Sequence, residues 1–472
     1  MKVLVAGYNI DSSLLEKIAA ANRSPEVISA AYARISRSSK TVSELRKEAL
    51  GEIGKARKSN QNIIFEMGHA SVAEHAVFNL DLIGISRHLT EVVQRSRYAS
   101  FTEKSQRYVT FDHDYVIPEE LNEFPAIRDR YIRLCDELFN EYKLSMDKLL
   151  ELYDKDFPDL KPRELEGKAK EDARYILPLS TKTQMGATIN ARSIETLLRR
   201  LGAREEMEAR QLHGLIFASV SSIAPSLLRY TQADDFNSRL PETALPHFPN
   251  NIFQMPDRIA LVSAPQNADD MILAGLFFEQ GYCDFPAALN HLENIAVEEK
   301  SRLWEHVFQG IKAWHKMPRA FENAEFAFQI PMSECCWGQF KRHRSATMLK
   351  YRSQGQGSAA HLSSRLIFPE GILSIGREKI WQSLFKAVSD FRKTLPTNLS
   401  HLAPYTVLNA ESALVHARMN LREIYHFCRL RSDEHAQWEI RQISDEIIHL
   451  VKTHAPYATR FLMGKSDFNT VS

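Results

Sequence analysis

A chain of 472 residues is longer than one hydrophobic core usually serves, so two domains of about 200 residues or more are expected. Hydrophobic residues at 44% and charged residues at 25% suit a soluble globular protein, and no apolar run approaches the roughly 18 residues a membrane-spanning helix needs. The formal net charge of +1 provides no general field to attract nucleic acid, so an anionic ligand must be held by local clusters of cations. The five scattered cysteines, Cys135, Cys283, Cys335, Cys336 and Cys428, match neither a disulfide framework nor a four-ligand zinc site, and reduced thiols are expected.

In chain order, Met1 to Tyr8 is too short an apolar stretch for a signal peptide and predicts a first strand in a cytoplasmic protein. Apolar residues at near-helical spacing predict a helix over Asp11–Ala21, and Ser24-Pro25-Glu26 opens another through Ala33. Ser43 to Lys58 reads as a polar helix. Phe78, Leu80 and Leu82 alternate over residues 76–82 as in a half-buried strand, after which Ser86 caps a helix leading into Arg95. Residues 95–107 follow, carrying Arg95, Arg97 and Arg107 together with Glu103, Ser105 and other hydroxyls. Such a stretch is too polar for a core; an arginine fork suits phosphate or a pyrimidine edge, although the same composition also describes a solvated basic loop. Long polar or amphipathic helices are predicted over 121–155 and 376–394.

Pro241, Pro246, Pro249 and Pro256, with Asn250-Asn251, break any helix and define a linker over 231–258. The chain then restarts at Ile259–Ser263, and the earlier events recur. Phe326, Phe328 and Ile330 alternate, and Ser333 precedes Arg342 as Ser86 precedes Arg95. Glu74 matches Glu322, Asn190-Ala191-Arg192 matches Asn420-Leu421-Arg422, and Arg210-Gln211 matches Arg441-Gln442. The pattern is a tandem duplication: residues 1–230, a linker at 231–258, and residues 259–472. Each repeat is expected to be α+β, a small mixed or antiparallel sheet wrapped by long helices.

His69 and His75 are six residues apart, which does not place two ligands one helical turn apart, and no metal site is expected. Asn420, Arg422, His426 and Arg431 are spaced so that one helix edge and its end would present amide, guanidinium and imidazole groups, or simply a solvated face.

On these residues the chain resembles the flavin-dependent thymidylate synthases, and does so twice. The family's Arg-His-Arg, seven residues, then Ser-x-Arg appears in the first half as Arg95-Ser96-Arg97 and Ser105-Gln106-Arg107, lacking only the histidine. Gly68-His69-Ala70-Ser71, Glu74-His75 and Ala173-Arg174 before Leu177-Pro178 extend the likeness. The second half keeps Arg342-His343-Arg344 but reads Arg352-Ser353-Gln354 where Ser-x-Arg is expected; His435-Ala436-Gln437-Trp438-Glu439 stays close to the family pattern and decays to Arg204-Glu205-Glu206-Met207-Glu208 in the first. Arg200 matches Arg431 only if a residue is deleted between Asn190 and Arg200.

The resemblance implies FAD as cofactor, 2′-deoxyuridine 5′-monophosphate (dUMP) as substrate, methylenetetrahydrofolate and NADPH as co-substrates, and no nucleic-acid or membrane partner. It also implies shared sites, with Glu103, Ser105, Gln106, Arg107 and Arg174 of the first half and Gln339 and Arg342 of the second binding substrate. Arg431 and His69 are the implied catalytic residues. Ser71, Arg95, Arg97, Glu103, Asn190, Arg192, Arg342, His343, Arg344, Asn420, Arg422 and His426 would hold the flavin. The reciprocal site, with Val92, Ser96, Arg352, Gln354 and Ser400, would be vestigial. A homodimer imitating the family tetramer follows. The alternatives are one-carbon transfer to another pyrimidine nucleotide and a noncatalytic nucleotide- or flavin-binding relative.

Overall fold

The computed structural model describes residues 1–10, 24–35, 38–233, 255–351 and 365–471, with side chains through residue 468. The helix predicted over Asp11–Ala21, the prolines Pro241, Pro246 and Pro249 with Asn250-Asn251, and Arg352-Ser353-Gln354 lie outside the described residues.

The first repeat holds β1 (Lys2–Tyr8), β2 (Val77–Ser86), β3 (Ala99–Glu103) and β4 (Lys182–Asn190) in an antiparallel sheet of order β1-β2-β4-β3. The predicted alternation is present in β2, where Phe78, Leu80 and Leu82 are buried while Asn79 is exposed. Five helices of this repeat matter below: α1 (Arg87–Gln94), α2 (Pro125–Asp156), α3 (Pro162–Ala173), α4 (Ala191–Gly202) and α5 (Met207–Ser221). The apolar stripes of α4 and α5, including Leu197, Leu198, Leu212 and Ile216, close over the inner face of the sheet. Each such buried side chain contributes about 1.5–3 kcal/mol relative to an exposed one.

Two local expectations changed in detail. The helix after Pro25 spans Glu26–Arg34, close to its expected end. The polar helix expected over 43–58 is divided at Glu52 into Val42–Gly51 and Ile53–Gln61. Gly51 and Gly54 flank the break, and glycine is the weakest helix former after proline.

The second repeat builds β5 (Ala260–Ser263), β6 (Glu325–Ser333), β7 (Thr347–Lys350) and β8 (Ser412–Asn420) with the equivalent order β5-β6-β8-β7. Its corresponding helices are α6 (Glu334–Phe340), α7 (Leu421–Arg431) and α8 (Trp438–Lys452). The repeats differ by one residue in the central strand, and Gly84 accounts for it. That glycine has φ +74° and sits where the β2–β4 register shifts between Ile83 and Ile85, a bulge that β6 lacks. Beyond the bulge the two strands end alike: the Ser86 hydroxyl accepts from Leu89 N at 3.1 Å and the Ser333 hydroxyl from Cys336 N at 2.9 Å, capping α1 and α6.

The molecule divides into two compact units that do not follow the repeat boundaries. One comprises Met1–Ile252 with Pro369–Asn409, and the other Phe253–Phe368 with Ala410–Ser472. Residues 369–409 thus come from the second repeat in sequence but pack within the first unit. There, Pro178 and Leu408 form an antiparallel bridge, flanked by Leu179 N to Val407 O at 2.7 Å and Asn409 N to Leu177 O at 2.9 Å. The helix Glu378–Lys393 joins α2 through Trp381 Nε1 donating to Glu141 at 2.9 Å, with Arg377 on the same carboxylate. No helix among the described residues is long and apolar enough to cross a membrane.

Candidate active site

In the first unit, β3 ends at Glu103, whose side chain is almost fully enclosed. Its two carboxylate oxygens accept from Arg87 Nη1 at 3.0 Å and Gln94 Nε2 at 2.9 Å, both on α1. The chain then turns: Ser105 Oγ accepts from Arg107 N at 3.1 Å, and Arg107 Nε reaches Glu171 on α3 at 2.6 Å. Arg174 follows α3 in a short 3₁₀ turn, is buried, and donates from Nε to the Glu171 carbonyl at 3.2 Å. Glu171 therefore gathers both arginines, one by its side chain and one by its backbone. Gln106, between Ser105 and Arg107, is buried and accepts from Asn409 Nδ2 at 3.1 Å.

The neighbouring Asp172 is buried and accepts from Tyr153 Oη at 2.5 Å. Burial pushes its carboxyl up to about 6, against the opposing Tyr153 hydrogen bond.

The other first-repeat candidates stand on separate elements. His69 and Ser71 are exposed at the start of the turn Ala70–His75. Arg95 and Arg97 are exposed, whereas Ser96 between them is buried, with no hydrogen-bond partner for its hydroxyl among the described residues. Asn190 caps α4 by accepting from Ser193 N at 2.8 Å, and Arg192 is ion-paired with Glu74.

In the second unit, the turn after α6 carries Arg342-His343-Arg344. Arg342 and Arg344 are exposed; Arg342 Nε donates to Gly338 O at 3.2 Å. His343 points inward, packed edge-on against Phe427 with ring centroids 4.8 Å apart. Its Nε2 accepts from Arg431 Nε at 3.1 Å, while Nδ1 lies 3.7 Å from Glu423. Burial holds the imidazole below the usual histidine range; Glu423 opposes this and Arg431 reinforces it. His426, one turn along α7, is exposed with its ring 5.9 Å from that of His343. Gln339 on α6 donates to Gln437 Oε1 at 3.4 Å, the same oxygen that caps α8 at Ile440 N.

Several contacts occur in both repeats. Arg422 pairs with Glu322 at 2.9 Å as Arg192 does with Glu74, and Asn420 caps α7 as Asn190 caps α4. Ser86 donates from both N and Oγ to Glu208, each at 2.7 Å, and Ser333 does the same to Glu439 at 2.7 and 2.5 Å. The box that looked decayed around Glu206 has kept this buried pair.

The repeats also differ at determined places. Arg431 lies eleven residues after its cap Asn420, and eleven residues after Asn190 is Leu201, fully buried. Counted from the two caps, Arg200 is therefore one residue out of step with Arg431. Counting back from the equivalent strands β4 and β8 sets Pro404, rather than Ser400, at the place of Arg174. Arg352 and Gln354 lie outside the described residues.

Glu171, Asn409, Arg87 and Gln94 were not singled out from sequence. Glu171 and Gln94 sit within a few residues of a candidate, which was the available signal; Asn409 carried none. Cys135 and Cys428 are buried, and burial pushes each thiol up to about 12, so neither is poised as a nucleophile. No cluster of three or more potential metal ligands occurs among the described residues.

A family model described as thymidylate synthase complementing protein matches residues 17–226 and again 278–457. A flavin-dependent thymidylate synthase of Clostridium tetani is 32% identical over 225 residues, covering 47% of this chain and 88% of that relative. A UPF0159 protein of Thermoplasma acidophilum is 23% identical over 439 residues, covering 84% of this chain and 86% of its own. Among solved structures, a flavin-dependent thymidylate synthase of Helicobacter pylori complexed with FAD and dUMP covers 48% of this chain and 100% of its own, at 18% identity and a TM-score of 0.30. With two matched segments and one sheet topology built twice, this chain belongs to the thymidylate synthase complementing protein family and carries the family's domain in duplicate.

Proposed function

We propose that the protein is a flavin-dependent enzyme that methylates dUMP to dTMP, using methylenetetrahydrofolate as carbon donor, reduced nicotinamide (NADPH) as reductant and FAD as cofactor. The observation that carries this reading is complementary survival. The first repeat keeps a polar group in which Arg107, a few residues after an enclosed Glu103, meets Arg174 on Glu171, and the second keeps Arg431 anchored on a buried His343.

In this reading Arg107 and Arg174 take the nucleotide phosphate, with Ser105 beside it, and Gln339 and Arg342 complete the substrate contacts. Arg431 stabilises negative charge as the pyrimidine becomes nucleophilic, a task suited to a guanidinium whose orientation is set in advance. Each competent site combines the first-repeat group with the second-repeat group, and a homodimer supplies two such sites. His69 and Ser71 lie toward the flavin ring and folate.

The residues fit a flavin in part. Arg342 and Arg344 are exposed on either side of buried His343, a cation pair suited to a diphosphate. Arg95 and Arg97, also exposed, offer the same chemistry around Ser96. Asn190 and Asn420 are engaged as helix caps, and Arg192 and Arg422 in ion pairs, so these four would exchange partners to take part, with His426 at hand. When bound, the flavin supplies carbon transfer and reduction; the chain's own groups bind, orient and polarise the base.

The reading is tested by purifying the protein, measuring flavin per chain by absorbance, and following conversion of labelled dUMP to dTMP. One flavin per chain with dTMP formed is the expected result. A colourless protein that takes up no added flavin overturns it, and methylation of uridine 5′-monophosphate instead of dUMP reassigns the substrate.

A further inference from the structure

Asn409 is fully buried in the first unit although it comes from the second repeat in sequence. Its backbone N–H donates to Leu177 O at 2.9 Å, pinning it beside the chain that leaves Arg174. From there one carboxamide nitrogen, Nδ2, donates both to Arg174 O at 2.9 Å and to Gln106 Oε1 at 3.1 Å. The tie thus bridges the arginine's backbone and the middle residue of the Ser105–Arg107 loop.

Packing alone does not account for this residue. The place that Asn409 holds before β8 is held before β4 by Leu179, an apolar side chain in the same bridged segment. In exchange for leucine the structure accepts two buried polar atoms, Asn409 Oδ1 and Gln106 Nε2, with no hydrogen-bond partner among the described residues. Leaving them unpaired is unfavourable, and the carboxamide offsets this only through the two bonds that Nδ2 donates. What it adds is geometry. Arg107 and Arg174 already share Glu171 on one side, and Asn409 links the loop to Arg174 on the other.

We propose that Asn409 is a positioning residue for the phosphate end of the nucleotide, its carboxamide setting the separation between the Ser105–Arg107 loop and Arg174. The proposal rests on the reading of Arg107 and Arg174 as phosphate ligands. Fixing that separation matters because a doubly charged phosphate gains most when both guanidiniums reach it without rearrangement.

Titration calorimetry of the flavin-loaded full-length protein with dUMP and with deoxyuridine, which lacks the phosphate, tests it. Asn409→Leu is expected to weaken dUMP binding by about tenfold and leave deoxyuridine binding unchanged, since only the phosphate contacts are misplaced. Asn409→Ala, which removes the donor without adding bulk, is expected to do the same and serves if the leucine variant does not fold. Equal loss for both ligands overturns the proposal in favour of a merely structural role. Arg174→Ala is the control. If that variant loses dUMP while both Asn409 variants bind it as wild type does, the positioning role fails and the phosphate reading stands. If Arg174→Ala binds dUMP as wild type does, the phosphate reading fails and the proposal with it.

Discussion

Arg431 Nε donates to Nε2 of His343 at 3.1 Å, joining the last residue of α7 to the turn after α6. An Nε2 that accepts carries no proton, so the imidazole is neutral with its proton on Nδ1, toward Glu423. Burial favours that neutral form. The histidine of the Arg-His-Arg motif thus turns inward and accepts from Arg431.

Arg431→Ala and His343→Ala are each expected to lower turnover by about 100-fold or more, the scale of losing one preorganised charge stabiliser. The double variant is expected to be no slower than Arg431→Ala alone, because the histidine acts through the arginine. Steady-state rates of the three variants check this; additive losses would show that His343 has a separate role.

Glu171 pairs with Arg107 at 2.6 Å, and on the proposed reading it competes with the nucleotide phosphate for that guanidinium. Glu171→Gln is expected to tighten dUMP binding by up to about fivefold, the scale of a partly exposed ion pair. Calorimetry at low and high salt measures it, with the larger gain at low salt.

Gly371 lies against the Tyr153–Asp172 hydrogen bond. A Cβ added there would come within 2.1 Å of Tyr153 Oη and 2.7 Å of Asp172 Oδ2. Gly371→Ala is expected to destabilise the first unit by about 1–3 kcal/mol through overpacking, read as a lowered thermal midpoint.

Asp172 makes stability depend on pH in a stated direction. Its folded carboxyl titrates near 6, above the ordinary range near 4, so between those values the folded state holds a proton that the unfolded chain has released. Stability accordingly falls as pH rises through that window and remains lower above it. Asp172→Asn keeps an acceptor for Tyr153 and is expected to raise stability at pH 7 by on the order of 2 kcal/mol. It should also flatten the change between about pH 4 and 6. Denaturant melts across that range provide the measurement. Asp269 in the second unit, also pushed up to about 6 by burial, retains a similar slope of its own.

Much of the fold was legible because it is written in neighbouring residues. The alternation of Phe78, Leu80 and Leu82, repeated by Phe326, Phe328 and Ile330, dictates which face of each central strand is buried. Ser86 and Ser333 cap the following helices through their own hydroxyls, and the two asparagine caps mark where α4 and α7 begin. Duplication, the arginine loop and the Arg-His-Arg turn follow from residue order alone.

Contacts between distant stretches were not legible. Gln106 and Asn409 are 303 residues apart, and no local period signals that they meet. Likewise, counting from the two caps puts buried Leu201, one residue beyond Arg200, at the step of Arg431. The sequence by itself determined the repeated elements and the residue types available for chemistry, since strands and caps depend on spacings of two to four residues. Only the tertiary structure decided that His343 turns inward to hold Arg431, that Glu171 gathers Arg107 and Arg174, and that residues 369–409 pack with the first unit. Those outcomes depend on which buried polar groups find partners once the chain has closed, a condition that no short stretch of sequence contains.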